Sequence, residues 1–183
     1  MANANTPFGF KVAGHRSGGV PRHTTYNIAY NYATAIYSGD AVVLTSGKLA
    51  IGAADSALIL GIFDGCSYKD NTGAQIFSRY WPGVALTDTA AVVTAYVYTD
   101  RGIVFEAQTS TAVAYVDATH VGTKCDLVAT AGATATTGQS SQELTMGTTG
   151  DEQFIVLGLV NRPDNAVGAN AKVLCAINDA TLG

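Results

Sequence analysis

From residue 39 onward, apolar and polar positions alternate with a period of two, the spacing of strands that bury one face. Residues 40–45 and 48–51 flank Ser46 and Gly47, a two-residue spacing that suits a tight hairpin. Residues 58–63 are a continuous apolar run, read as a strand buried on both faces. Asp70, Asn71, Thr72 and Gly73 are turn formers linking a strand around Tyr68 to one over 75–80, and Pro82 with Gly83 closes that unit. Residues 92–98 are rich in β-branched and aromatic side chains. Across the turn at Asp100, Arg101 and Gly102, the run 103–108 sets Ile103, Phe105 and Ala107 on one side and Val104, Glu106 and Gln108 on the other. Two more apolar strands, 154–160 and 172–177, are separated by a loop at Pro163, Asp164 and Asn165. The Ala/Thr/Gly/Ser stretch 129–150 reads as a long surface connection holding a short strand at 143–146, and the Ala-rich 111–121 admits a short helix. About nine strands with hardly any helix predict an all-β domain, a β-barrel or jelly-roll-like sandwich.

The first 38 residues have a different texture. Pro7, Gly9, Gly14, Gly18, Gly19 and Pro21 interrupt every periodicity. Six aromatics nonetheless lie between Phe8 and Tyr37, too many for a solvated tail. Aromatics without a local core find one on a partner. The expected organisation is therefore an extended N-terminal arm, 1–38, that orders on binding, followed by a single β domain over 39–183.

Composition sharpens this picture. Charged residues make up 13% of the 183-residue chain and hydrophobic types 48%, so the surface is sparsely charged and points to self-association or permanent docking. The net charge of −4 excludes the basic field of a nucleic-acid binder. It is unevenly placed. No carboxylate precedes Asp40, whereas Lys11, Arg16 and Arg22 give +3, and the remaining seven cations and fourteen anions give −7. A cationic arm on an acidic body implies docking on an acidic neighbour.

Cys66, Cys125 and Cys175 form no Cys-x-x-Cys pair and sit among apolar residues, which predicts small buried thiols in a reducing compartment. The opening residues lack a charged and then apolar leader pattern, and no apolar run approaches a membrane span, so a product made in the cytoplasm with no membrane partner is expected.

Little in the sequence points to catalysis. There is no Gly-x-Ser-x-Gly elbow, no Gly-x-Gly-x-x-Gly or Gly-Lys-Ser/Thr loop, and no His-x-x-x-His pair. His15 and His23 lie on the arm; His120 with Cys125 lacks an orienting carboxylate. Asp64 and Asp70 are close enough in sequence to share a cation, but turn and strand-end aspartates are the commoner case. No catalytic residue, metal or cofactor is expected. Trp81 beside Tyr80 admits three readings: packing at a sheet edge, a sugar-stacking platform, or an interface anchor with Arg79.

Several stretches together resemble the capsid decoration (cement) proteins of tailed bacteriophages. They are the strand from Gly39 to Leu44, the unit from Gly61 to Tyr68, the run from Phe77 to Pro82, and the pair from Ala95 to Gln108, with an opening from Thr6 to Phe10 similar to the way such chains begin. The turn from Thr99 to Gly102 departs from relatives that carry an acidic pair and a proline there. The resemblance implies a β-barrel or jelly-roll-like molecule, acting as a dimer or trimer on the outer surface of the virion. It would bind across seams between subunits of the phage major capsid protein. On that reading Phe8, Phe10, Arg16, Arg22, Tyr26 and Tyr30 are the arm's anchors, and Arg79, Tyr80 and Trp81 those of the body. A carbohydrate-binding virion surface module and a tail or neck protein are the alternatives.

Overall fold

A computed structural model describes residues 3–54, 56, 58–111, 118–129, 137–146 and 152–178. The described residues form twelve strands: β1 (Lys11–His15), β2 (Thr24–Ile28), β3 (Ala41–Thr45), β4 (Lys48–Ile51), β5 (Gly61–Lys69), β6 (Gln75–Ser78), β7 (Val93–Tyr98), β8 (Ile103–Gln108), β9 (Lys124–Val128), β10 (Glu143–Met146), β11 (Phe154–Leu159) and β12 (Lys172–Ile177). One 3-10 turn, Ala118–His120, is their only helical element. The all-β expectation holds.

The first sheet runs β3-β4-β2-β7-β5-β6, and a further pairing of β3 with β5 closes five of its strands into a barrel. Strand alternation fills the interior: Val93, Ala95 and Val97 of β7 point inward with Ile28, Val42, Leu49 and Phe63, around Trp81. The second sheet runs β1-β8-β12-β11-β9-β10. It curls until Thr109, just past β8, bridges Leu144 of β10. Phe105, Cys125, Leu127, Leu144, Phe154, Val156, Val173 and Cys175 fill its concave side. Ala41, Ile59 and Ile62 from the barrel wall join this second core, so the two layers share one wall.

Local chemistry sets the turns. Ser46 and Gly47 both take positive φ, 50° and 74°, as a two-residue hairpin turn between twisted strands requires. The β5–β6 turn closes with Gly73 N–H on the Asp70 carbonyl and Asp70 N–H on the Ala74 carbonyl, Gly73 at φ +86°. That is a three-residue loop ending in a left-handed glycine. Asp70 Oδ1 accepts the Thr72 and Ala74 N–H groups, which hold its carboxyl below the ordinary range together with the Thr72 hydroxyl.

The extended arm is corrected. Residues 11–15 pair with β8, and 24–28 form a barrel stave between β4 and β7, so a boundary at residue 38 cuts through both sheets. The glycines and prolines break the pattern outside the strands, in the segment before β1 and in the 16–23 connection, while Gly14 falls at a bulge in β1. The aromatics find their core in this chain: Phe10 is 3% exposed and stacks on Phe154 with ring centroids 4.4 Å apart. Ahead of it, residues 3–10 form a strap. The Asn3 amide donates to the Ala166 and Ala169 carbonyls at 2.8 and 2.9 Å, and Gln108 accepts Thr6 N–H at 3.1 Å. Gly9 can only be glycine here, at φ +69° with a Cβ position 2.4 Å from the Ser140 side chain.

Two further expectations change. Lys124–Val128 is a central strand that the sequence reading passed over, its apolar run being only three residues long. Within 129–150, residues 130–136 and 147–150 lie outside the described residues, but 138 and 140–142 are buried rather than superficial. Gln142 explains why: its Oε1 accepts Ala41 N–H at 2.6 Å, tying this segment to the shared wall. The short strand at 143–146 is present, whereas residues 112–117 of the expected helix fall outside the described residues. Leu58 is 49% exposed, so the doubly buried strand starts later than its apolar run and extends to Lys69 past a bulge between Phe63 and Gly65.

Asp40 sits at the junction of strap, barrel and second sheet, 2% exposed, accepting Tyr37 N–H at 2.7 Å. Burial pushes its carboxyl up to about 6, against hydrogen bonds from Ser140 and Tyr37 that favour the anion. Between about pH 4 and pH 6 the folded chain keeps a proton that the unfolded chain has released, so stability falls as pH rises through that interval. The loss is on the order of 3 kcal/mol. Asp40→Asn keeps an acceptor for Tyr37 N–H and removes the titration. Thermal unfolding should show the variant about 8 °C more stable than the parent at pH 8 and equal to it at pH 4; parallel pH profiles would refute this. Phe10→Ala should lower the unfolding free energy in urea by about 3 kcal/mol, whereas Val20→Ala on the 16–23 connection should change it by under about 0.5 kcal/mol.

Candidate functional site

β1 pairs with β8 and β2 with β7, so the β1–β2 connection (residues 16–23) and the β7–β8 turn (99–102) leave the same end of the molecule side by side. They are bonded to each other: Arg16 N–H donates to the Gly102 carbonyl at 2.8 Å, and the Thr24 and Thr99 hydroxyls lie 3.0 Å apart. His15 Nδ1 accepts Ser17 N–H at 3.2 Å, which leaves the ring proton on Nε2 to donate to Asp100 Oδ2 at 3.2 Å. Gly102 N–H and His15 hold the Asp100 carboxyl below its usual range. On the other side, His23 Nε2 meets Asp64 Oδ2 at 2.9 Å and its ring lies 4.2 Å from that of Tyr98.

The carboxylates at this end, Asp100 and Asp64, accept from imidazoles, while its guanidiniums make no ion pair among the described residues. Arg16, Arg22 and Arg101 are exposed, and none takes part in an ion pair among the described residues. Val20 stands between Arg16 and Arg22 in the connection, 82% exposed. The result is a rigidly seated cationic tip with an apolar point.

The expected interface residues separate into three groups. Arg16 and Arg22 meet at the tip, joined by Arg101, which the sequence presents only as the middle of a turn. Phe8 and Arg79 line a groove with Lys11, Asp64, Tyr98 and Gln139, and the Gln139 amide donates to the Phe8 carbonyl at 3.3 Å. Tyr80, half-buried, stacks on Tyr37 at 5.6 Å. The rest lie in or against the cores. Tyr26 and Tyr30 pack against the barrel core. Phe10 and Trp81 are enclosed and unavailable to a partner, which corrects their reading as anchors. Trp81 has no exposed surface; its Nε1–H donates to the Tyr32 carbonyl at 2.8 Å and Tyr68 packs edge-on at 5.1 Å. A sugar-stacking platform at Trp81 is ruled out with it. The sequence signal was a Trp flanked by Tyr80 and Pro82, which also describes a side chain closing the mouth of a barrel.

The remaining polar groups are committed locally. Ser17 Oγ lies 2.8 Å from His15 Nδ1, so Ser17, His15 and Asp100 form a chain; yet the hydroxyl shares the Nδ1 lone pair with the Ser17 backbone N–H, an arrangement that closes the turn. Asp64 and Asp70 sit six residues apart along one extended strand, about 20 Å, too far to share a cation. All three cysteines are buried and unbridged, as expected. Burial pushes the Cys66 thiol up to about 12 and raises those of Cys125 and Cys175 as well. Among the described residues no group of three or more His, Cys, Asp or Glu side chains is placed to hold a metal ion, and no helix is long and apolar enough to cross a membrane. The chain matches no family model, no curated protein and no solved structure.

Proposed function

We propose that this chain is a capsid decoration protein of a tailed bacteriophage, a cement that binds the outer surface of the icosahedral head across seams between major capsid subunits. The observation that carries the reading is the cationic tip: three exposed arginines without ion-pair partners among the described residues, on a chain whose net charge is −4. An excess of positive charge at one end, three arginines against Asp64 and Asp100, orients the molecule as it approaches an acidic surface and raises the encounter rate. Val20 at the apex adds apolar contact once docked.

The anchors expected on a flexible arm become, on this reading, a preformed corner. Its hydrogen bonds are made before docking, so little conformational entropy is lost on binding. Phe10 and Trp81 serve the body that presents the tip. Each tip contact is weak alone. A shell offers many sites, so linkage through the lattice stabilises the assembled form by mass action.

Arg16→Ala combined with Arg22→Ala tests the reading on capsids stripped of decoration protein. Occupancy at a fixed free concentration should fall about tenfold, and the residual binding should respond less to salt. Unchanged occupancy and salt response would remove the tip from the account, and failure of the unaltered protein to bind capsids would end the cement reading itself.

A further inference from the structure

The tip is concave as well as charged. Between the β1–β2 connection and the β7–β8 turn lies an open cleft of about 410 Å³, lined by His15, Val20, Arg22, Thr24, Thr99 and Asp100. Thr24 pairs with Val97, so the alternation of β2 and β7 runs on into this end. Thr24 and Thr99 therefore share a side, as hydroxyls 3.0 Å apart require, and Arg22 precedes Thr24 by two residues on that same side. His23 falls on the other, against Asp64 and Tyr98.

What the cleft leaves uncommitted is donors. Arg22 is exposed and has no ion-pair partner among the described residues. The carboxylate in the same cleft does not neutralise it, because Asp100 already accepts at both oxygens: Gly102 N–H at 2.7 Å on Oδ1 and the His15 ring at 3.2 Å on Oδ2. In the Thr24–Thr99 pair one hydroxyl donates to the other, so the second keeps a proton to give. Val20, at 82% exposure, supplies an apolar wall.

We infer that this cleft receives a side-chain carboxylate of a protein partner, gripped by the Arg22 guanidinium and by a hydroxyl of the Thr24–Thr99 pair. A guanidinium is a planar fork that matches the two oxygens of a carboxylate. Asp100 sets the charge the cleft accepts. A phosphate or sulfate dianion would bring two negative charges beside it against one guanidinium, whereas a carboxylate matches the single free cation. Arg16 and Arg101 are not among the lining residues and supply the surrounding field. The methylenes of a glutamate can lie along Val20. This inference rests on the tip being the docking end of the molecule, and adds the group recognised there.

The probe is acetyl-glutamate N-methylamide, titrated into the full chain and followed by backbone amide shifts. It should move residues 15–24 and 99–102 and saturate with a Kd in the millimolar range. The matching glutamine compound should give no saturable shift, and inorganic phosphate should bind at least about threefold more weakly. Arg22→Lys keeps the charge but loses the fork; it should weaken glutamate binding about fivefold with thermal unfolding unchanged. Thr99→Val should weaken it about threefold, and Lys69→Gln, at the far end of β5, by under about twofold. On stripped capsids Arg22→Lys should lower occupancy about fivefold. Occupancy indifferent to Arg22→Lys but lost in the double alanine variant would leave the cationic tip standing and overturn the carboxylate cleft. No saturable shift with the glutamate probe, equal binding of the glutamine probe, or tighter binding of phosphate would overturn it too. If the unaltered chain fails to bind capsids, the docking reading falls and the titration alone decides the cleft.

Discussion

The architecture depends on one pair of strands buried on both faces. Ala41 and Val42 are neighbours in sequence, yet Ala41 packs into the second sheet's core and Val42 into the barrel; Ile62 and Phe63 on the paired strand divide in the same way. A strand with apolar side chains on both sides is stable only between two hydrophobic layers, each such side chain worth about 1.5–3 kcal/mol when fully buried. That forces a barrel on one side and a curled sheet on the other. Gly61 at this wall has no room for a side chain, since a Cβ would lie 2.2 Å from the Tyr98 carbonyl oxygen.

The shared wall also explains where the polar groups went. Its rim is lined by buried amides and one carboxylate: Gln142 caps Ala41 N–H, Gln153 Oε1 accepts Leu127 N–H, and Asp40 holds Tyr37 N–H. Each satisfies a main-chain donor that would otherwise be orphaned. The low charge content of the chain follows from this. Much of its polarity is spent on internal backbone.

Local patterns were readable where they were self-contained. The hairpin at Ser46 and Gly47, the turn at Asp70 to Gly73, and the alternation of Val93 to Tyr98 and of Ile103 to Gln108 each carry a complete short-range signal. The first 38 residues were misread because their strands are five residues long and bounded by glycine and proline, so only a distant partner makes them strands. Arg101 joined the tip, and Trp81 ceased to be a body anchor, for the same reason: proximity to Arg16 depends on the β1–β8 register, and enclosure of Trp81 depends on the bridge to Ile36. Periodicity marks which face is apolar, but says nothing of which strand will cover it.

The strap has a further consequence, in the order of synthesis. Asn3 is held by Ala166 and Ala169, more than 160 residues downstream, and β1 and β2 pair with strands made some seventy to ninety residues after them. Residues 3–28 therefore wait for partners made long after them before they find their place. Until β11 has been made, Phe10 has no Phe154 to stack on and must stay in water, so the strap closes late.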